Sequence, residues 1–315
     1  MRFLSAVFVF ALAGASCSNQ LGQYEDFLVG EPAATTSKNP GKVSISYFGT
    51  NSYLIEHGST AIAVDPYFSR TNLRTVALNG PMSPDVEEIE AALKKAAFPA
   101  SIDVWLVTHS HFDHLLDIPE LQKRFGGKII TSETGKHIAE AVGTRPRNVI
   151  ASGPGGKFRF GTAAVTVLDA GHDRLFGRVP YLGVISEPLE NPPSRAKDWK
   201  LGQPLAYLIE IGGKRIYIES GGIRGKLPDS KASGVDLAIM GVAVWDSQAR
   251  YPEAAASLDA DFILPSHQDD FFKSLERGFH FAPTSNFPKV LAGHREAGIE
   301  SELILMDFFT RWELP

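Results

Sequence analysis

The sequence predicts an α/β protein of the α+β type, in which two mixed β-sheets are covered by helices. Strand-like runs come in clusters, and helical stretches separate these clusters instead of alternating with single strands. A strict alternation would instead indicate a doubly wound parallel sheet. The chain has 315 residues and is 43% hydrophobic, which is enough to build a substantial buried core.

The strands fall into two groups along the chain. The first group reads VSISYFG, SYLIEH, AIAVD, DVWLVT and KIIT, and the second reads AAVTVLD, PLAYLIEI, KRIYIES, VDLAIMG, DFILP and ELILM. Apolar residues at helical spacing occur in SPDVEEIEAALKKAA, HLLDIPELQKRF, EAAASLDA and NFPKVLAGHREAG. In the first of these, Ser83 is the expected N-cap, with Pro84 at the first helical position.

The N-terminus has the layout of an export signal. Arg2 precedes an apolar run over residues 3–13, and small residues lead from there to Cys17, the only cysteine. We expect a signal peptide over residues 1–17, a flexible tether over 18–41 and one domain over 42–315. Lipid attachment at Cys17 would place the protein on a membrane of the cell envelope, whereas ordinary cleavage near Ala15 would leave it free in the periplasm.

Charge and cysteine content exclude several functions. A formal net charge of −5 and a pI near 6.0 provide no basic surface field, so nucleic acid is not an expected partner. A single cysteine excludes disulfides within the chain, and a catalytic thiol in the domain is excluded as well. A small-molecule or lipid-like substrate is the expected partner.

The stretch VWLVTHSHFDHLLD carries the clearest chemical signal. An apolar strand ends at Thr108, and four metal-binding side chains follow within six residues: His109, His111, Asp113 and His114. The two histidines at the strand end can project to one side, and the start of the next helix can turn Asp113 and His114 toward them. Zinc is the expected metal, with iron or manganese as alternatives, since imidazole and carboxylate bind all three.

This motif resembles the His-x-His-x-Asp-His hallmark of the metallo-β-lactamase superfamily, and the resemblance covers most of the chain after Gly41. It implies a four-layer αββα sandwich with one or two metal ions at an edge of the sheets. The resemblance further implies that His172 completes the first metal site, that His267 joins Asp113 and His114 in the second, and that Asp65 hydrogen-bonds a histidine ligand. The segment QDDFF directly after His267 resembles a branch of hydrolases related to N-acylphosphatidylethanolamine phospholipase D and lactonate lactonase.

One position departs from the family pattern. In RIYIESGGI, Gly221 occupies the place of an aspartate that bridges the two ions in most di-metal members. Glu219 or Ser220 is close enough in sequence to substitute as an extra ligand, although a shift of one residue changes the face of the sheet from which a side chain leaves. We therefore expect the second metal site to be the weaker one.

The expected activity is hydrolysis of an ester, lactone, amide or phosphodiester by metal-activated water, with Asp113 as a catalytic residue that accepts a proton. Two alternatives stay open: an iron-dependent redox enzyme, and a non-catalytic metal- or ligand-binding lipoprotein. The loops over the site do not reveal the substrate. Their aromatic residues predict a partly apolar pocket rim formed by Tyr181, Trp199, Trp245 and Tyr251.

Overall fold

A computed structural model describes residues 19–222 and 227–315. Its first sheet has eight strands in the order β1-β15-β2-β3-β4-β5-β6-β7. Strands β1 to β4 and β15 pair antiparallel, and β4 to β7 pair parallel. The strand bounds are β1 Glu31–Pro32, β2 Ser44–Tyr47, β3 Tyr53–His57, β4 Thr60–Val64, β5 Val104–Leu106, β6 Lys128–Thr131, β7 Val149–Ala151 and β15 Thr310–Glu313.

The second sheet has seven strands in the order β14-β13-β12-β11-β10-β9-β8. Strands β8 to β11 pair antiparallel, and β11 to β14 pair parallel. The strand bounds are β8 Lys157–Phe160, β9 Ala163–Asp169, β10 Leu205–Ile211, β11 Lys214–Ile218, β12 Leu237–Gly241, β13 Phe262–Ser266 and β14 Glu302–Leu303. Two mixed sheets confirm the predicted fold class.

The alternation of side chains along the strands explains how the layers pack. In β5, Val104 and Leu106 join the apolar cluster that also contains Val167 and Ile209 of the second sheet. Trp105, between them, joins a different cluster with helix residues on the opposite face. Successive residues of a strand point to opposite faces, so one fully buried strand contributes to both layers.

Seven α-helices are present among the described residues: α1 Leu73–Ala77, α2 Val86–Ala96, α3 Phe112–Leu115, α4 Ile118–Phe125, α5 Glu133–Ala141, α6 Trp245–Leu258 and α7 Phe287–Glu296. The predicted cap of α2 is wrong by two residues, because Asp85 accepts hydrogen bonds from the backbone N–H groups of Glu87 and Glu88. Within the described ranges, no helix is long and apolar enough to cross a membrane.

The structure differs from the flexible tether expected over 18–41. Residues Gln20–Phe27 form a 3-10 helix, and β1 pairs with β15. Leu21 and Ala33 are buried, and Gln20 exchanges hydrogen bonds with Phe279 and Phe281. Buried apolar side chains and paired backbone groups make residues 19–41 part of the domain. The expected signal peptide lies outside the described residues.

Candidate metal centre

Three strand ends bring the six predicted metal ligands together. His109 and His111 follow β5, with Asp113 and His114 in the helix behind them, whereas His172 follows β9 and His267 follows β13. All six side chains are buried or nearly so. They form two groups, and within each group the ligand atoms lie within 4.8 Å of one another.

The first group is His109, His111 and His172, whose ring centroids lie 4.6 to 4.9 Å apart. Burial, together with the neighbouring imidazoles, lowers the pKa of His109 and of His111 well below the usual value. Burial also lowers the pKa of His172 to about 4. Neutral imidazole is the form that binds a transition metal, so this group suits a cation at neutral pH without losing protons first.

The second group is Asp113, His114 and His267. The Asp113 Oδ2 atom lies 3.2 Å from His267 Nε2 and 3.4 Å from His114 Nε2. Burial by itself raises the pKa of the Asp113 carboxyl, but His114 and His267 hold it well below its usual range. Burial lowers the pKa of His114, yet the carboxylates of Asp113 and Asp65 outweigh it and raise that pKa to about 10.

The two groups lie side by side, because the rings of His109 and His114 are 4.0 Å apart between centroids. The donors are five imidazoles and one carboxylate, a set that suits zinc, iron or manganese. These residues therefore fit one metal ion or a pair of neighbouring ions.

Asp65 holds one of the histidines in place. Its Oδ2 atom lies 2.9 Å from His114 Nδ1 and also accepts hydrogen bonds from Thr108 Oγ1 and Asn51 Nδ2. A carboxylate at Nδ1 favours the tautomer that leaves Nε2 free for a metal. This is the contact that the family resemblance implied for Asp65.

Glu219 does not lie among the donors. Its two carboxylate oxygens each accept a backbone hydrogen bond of 2.8 Å, one from Gly222 and one from Gly241. Burial raises the pKa of Glu219 to about 8. Each oxygen of Glu219 is thus directed at a backbone donor in this structure, and its role as a replacement for the missing bridging aspartate stays a prediction.

Ser220 lies closer to the centre, with its Oγ atom 3.5 Å from both ring nitrogens of His114. At Gly221, a Cβ atom would be 2.8 Å from the Gly171 carbonyl oxygen and 3.1 Å from the His172 ring. The chain thus packs tightly against the His172 segment where most di-metal relatives have an aspartate. Ser220 is the only predicted extra ligand that the structure leaves beside the centre.

The comparisons with known proteins agree with this geometry. The model of the metallo-beta-lactamase superfamily matches residues 46–191, which include the motif around His109. Over slightly less than half of its length, this chain is therefore similar to the metallo-β-lactamase superfamily. Relatives in sequence include a UPF0173 metal-dependent hydrolase of Thermus thermophilus, 26% identical over 273 residues, which are 83% of this chain and 96% of the relative. Another, from Anaeromyxobacter, is 30% identical and spans 56% of this chain and 55% of the relative.

Several solved structures share the fold of this chain. Igni18, a metallo hydrolase of Ignicoccus hospitalis, superposes with a TM-score of 0.55 at 17% identity, covering 87% of this chain and all of that one. The metallo-β-lactamase fold protein YhfI of Bacillus subtilis superposes with a TM-score of 0.53 at 14% identity, covering 86% of this chain and 99% of that one. CmlA, a diiron β-hydroxylase of Streptomyces venezuelae, superposes with a TM-score of 0.53 at 15% identity, covering 87% of this chain and 54% of that one. At these identities the likeness concerns the fold alone.

A cavity of about 430 Å³ opens above the donors, and five of the six predicted ligands line it. Tyr181 lines the cavity as predicted, and Trp245 is 47% exposed beside Phe176. Trp199 and Tyr251 are each only 1% exposed, so their prediction as rim residues is wrong. Their large apolar side chains are buried within the domain instead.

Two buried carboxylates near the centre were not predicted as site residues. Asp117 accepts hydrogen bonds from both the backbone and the hydroxyl of Ser69. Asp269 forms a 2.6 Å ion pair with Arg70, and both side chains are 1% exposed. These contacts join residues far apart along the chain, and their spacing follows no local period. Only the position of Asp117 and Asp269 shortly after motif histidines could have drawn attention to them.

Proposed function

We propose that the protein is a hydrolase whose bound metal ions activate water against an ester, lactone, amide or phosphodiester bond. The observation that carries this proposal is the pair of donor groups at the base of a cavity large enough for a small molecule. The match of residues 46–191 to the metallo-β-lactamase superfamily and the metal-dependent hydrolases among the relatives support it. Zinc is the proposed metal, and iron or manganese would fit the same nitrogen and oxygen donors.

The residues have distinct roles in this proposal. His109, His111 and His172 would hold the first ion, and Asp113, His114 and His267 the second. A metal bound there polarises the scissile carbonyl or phosphoryl oxygen and lowers the pKa of bound water. Asp113 is ionised because His114 and His267 hold its pKa low. Its carboxylate can therefore accept a hydrogen bond from water, or accept a proton transiently during the reaction.

Export and lipid attachment at Cys17 remain a proposal, supported by the sequence of residues 1–17 alone. Intact mass of the protein from the membrane fraction should show a chain that begins at Cys17 and carries a diacylglyceryl-type addition. A soluble chain that begins near Ser16 would indicate ordinary signal cleavage.

Elemental analysis combined with an ester and phosphodiester screen tests the proposed activity. We expect zinc, iron or manganese in the wild-type protein and loss of both metal and turnover in a His109→Ala/His111→Ala variant. His57→Ala is the matched control, because His57 lies outside both donor groups. Metal without turnover of any substrate would favour the non-catalytic alternative. Iron with oxygen consumption would favour the redox alternative.

A further inference from the structure

Apolar side chains from three separate segments cover the walls of the cavity above the donors. They belong to α1, to the segment after β9 and to the segment after β13. The main contributors are Leu73, Val76, Phe176, Tyr181, Phe271 and Phe272. Because they surround the donors on several sides, a molecule that reaches the metal centre must contact hydrocarbon.

The aromatic walls touch the metal ligands themselves. The ring of Phe271 lies 5.2 Å from that of His267 in an edge-on arrangement, and it packs 4.2 Å from Phe272. Tyr181 lies 5.9 Å from His111, also edge-on. The apolar surface therefore begins immediately beside the position of a scissile bond, and it can bind the group attached to that bond.

Away from the metal ions, the described side chains of the cavity give an anionic group no cationic partner. Among the described lining residues there is no lysine or arginine, and two carboxylates line the cavity besides Asp113, namely those of Asp173 and Asp270. Arg250 lies 3.6 Å from Asp173 and Lys273 lies 3.4 Å from Asp270, but neither cation lines the cavity. An anionic group held away from the metal ions would thus meet carboxylates on the walls, and no described cationic side chain of the lining would pair with it.

The mouth of the cavity is also apolar. Phe176 is 54% exposed and stacks edge-on against Trp245, which is 47% exposed, at 5.5 Å between ring centroids. Leu73, on the wall formed by α1, is 48% exposed. Exposed hydrocarbon that rims a cleft gains free energy when a ligand covers it, which is typical of a binding site for an apolar group.

We propose that the substrate is an uncharged carboxylic ester whose acyl group is a hydrocarbon chain, bound against these apolar walls. This inference rests on the proposed hydrolase function and names its substrate class. In the reaction, the oxygen of water bonds to the acyl carbon and the ester C–O bond breaks. The leaving alcohol oxygen takes one proton of that water, and the acyl group departs as the carboxylic acid, which ionises.

The test uses the metal-loaded protein with p-nitrophenyl esters of increasing acyl length, from acetate to octanoate, and with bis(p-nitrophenyl) phosphate. We expect kcat/KM to rise with length by up to about fourfold per methylene, the gain for a fully buried CH₂. A Leu73→Arg variant should flatten this rise. Leu78→Arg is the matched control, since Leu78 caps the same helix, is 67% exposed and does not line the cavity.

A binding measurement separates this inference from the hydrolase proposal. On the same protein, alkanamides of the same chain lengths should displace Nile red from the cavity, with affinity that increases with length. Displacement without ester turnover would contradict the hydrolase proposal and support an apolar binding cavity. A flat length profile in both assays, or a preference for the phosphodiester, would overturn the inference.

Discussion

The ion pair between Arg70 and Asp269 should be essential for stability. One oxygen of Asp269 accepts a 2.6 Å bond from Arg70, and the other accepts a 2.7 Å bond from the Thr50 backbone. In Asp269→Asn, the side chain has only one acceptor oxygen. Its NH₂ group would therefore face either Arg70 or the Thr50 backbone N–H, so that two donors would oppose each other. The Arg70 guanidinium would also be left buried without a counter-ion.

The expected cost follows from the burial of both partners, each 1% exposed. Removing one member of a fully buried pair destabilises a protein by about 3–5 kcal/mol, since the remaining charge stays uncompensated. That loss corresponds to a decrease in Tm of roughly 10 °C for a protein of this size. His267 lies two residues away and its backbone N–H bonds to Thr50, so weaker metal binding at the second group should accompany the loss.

Urea unfolding and thermal melts of the metal-free variants measure this effect. Glu120→Gln is the control, because Glu120 and Lys123 form an exposed pair at 3.3 Å. Breaking that exposed pair should change the free energy of unfolding by about 1 kcal/mol at most. If Asp269→Asn melts within a degree or two of Glu120→Gln, the assignment of a structural role to the buried pair is wrong.

Three further substitutions probe the surroundings of the centre. Burial raises the pKa of Asp117 from 3.8 to about 6, so the wild-type protein loses stability as the pH rises between these two values and the carboxyl ionises. Over that pH range, metal-free Asp117→Asn should gain up to about 1.4 kcal/mol per pH unit in free energy of unfolding relative to wild type. Equal pH profiles of the two proteins in urea unfolding would refute this. Asp65→Asn should weaken metal binding at His114 by about 10- to 100-fold in a chelator competition, with an unchanged Kd as the contrary result. Gly221→Asp should lower metal content rather than raise it, because its Cβ would meet the Gly171 carbonyl, and increased metal per chain in elemental analysis would contradict this.

Local patterns were sufficient to predict the parts of the molecule in which neighbouring residues act together. The motif from His109 to His114 is confined to one turn after a strand, so its grouping could be predicted before the structure was known. The positions of His172 and His267 came from resemblance to a family, since nothing in their own neighbourhoods distinguishes them from structural histidines. The structure brings both of them to the motif.

Long-range packing determined what the sequence could not show. The polar composition of residues 18–41 suggested a tether, yet Gln20 hydrogen-bonds to Phe279 and Phe281, about 260 residues away. Burial of Trp199 and Tyr251, and occupation of both Glu219 oxygens by backbone donors, likewise depend on contacts between distant segments. Periodicity and local composition contain no information about such partners.

The difference between the two donor groups follows from their ligands. The first has three imidazoles, while the second has two imidazoles and Asp113; residue 221 is a glycine, and Glu219 lies outside both donor groups. Two cations held close together repel each other unless negative charge lies between them. A first ion should therefore bind tightly, and a second ion more weakly.

Calorimetric titration of the metal-free protein with Zn²⁺ tests the metal centre most directly. The expected result is two sequential binding events of unequal affinity, both of them absent from the His109→Ala/His111→Ala variant or reduced there to weak binding at the remaining ligands. Two equally tight sites would show that Ser220 or a bridging water supplies what the missing aspartate does in relatives. No binding at all would contradict the assignment of a metal centre.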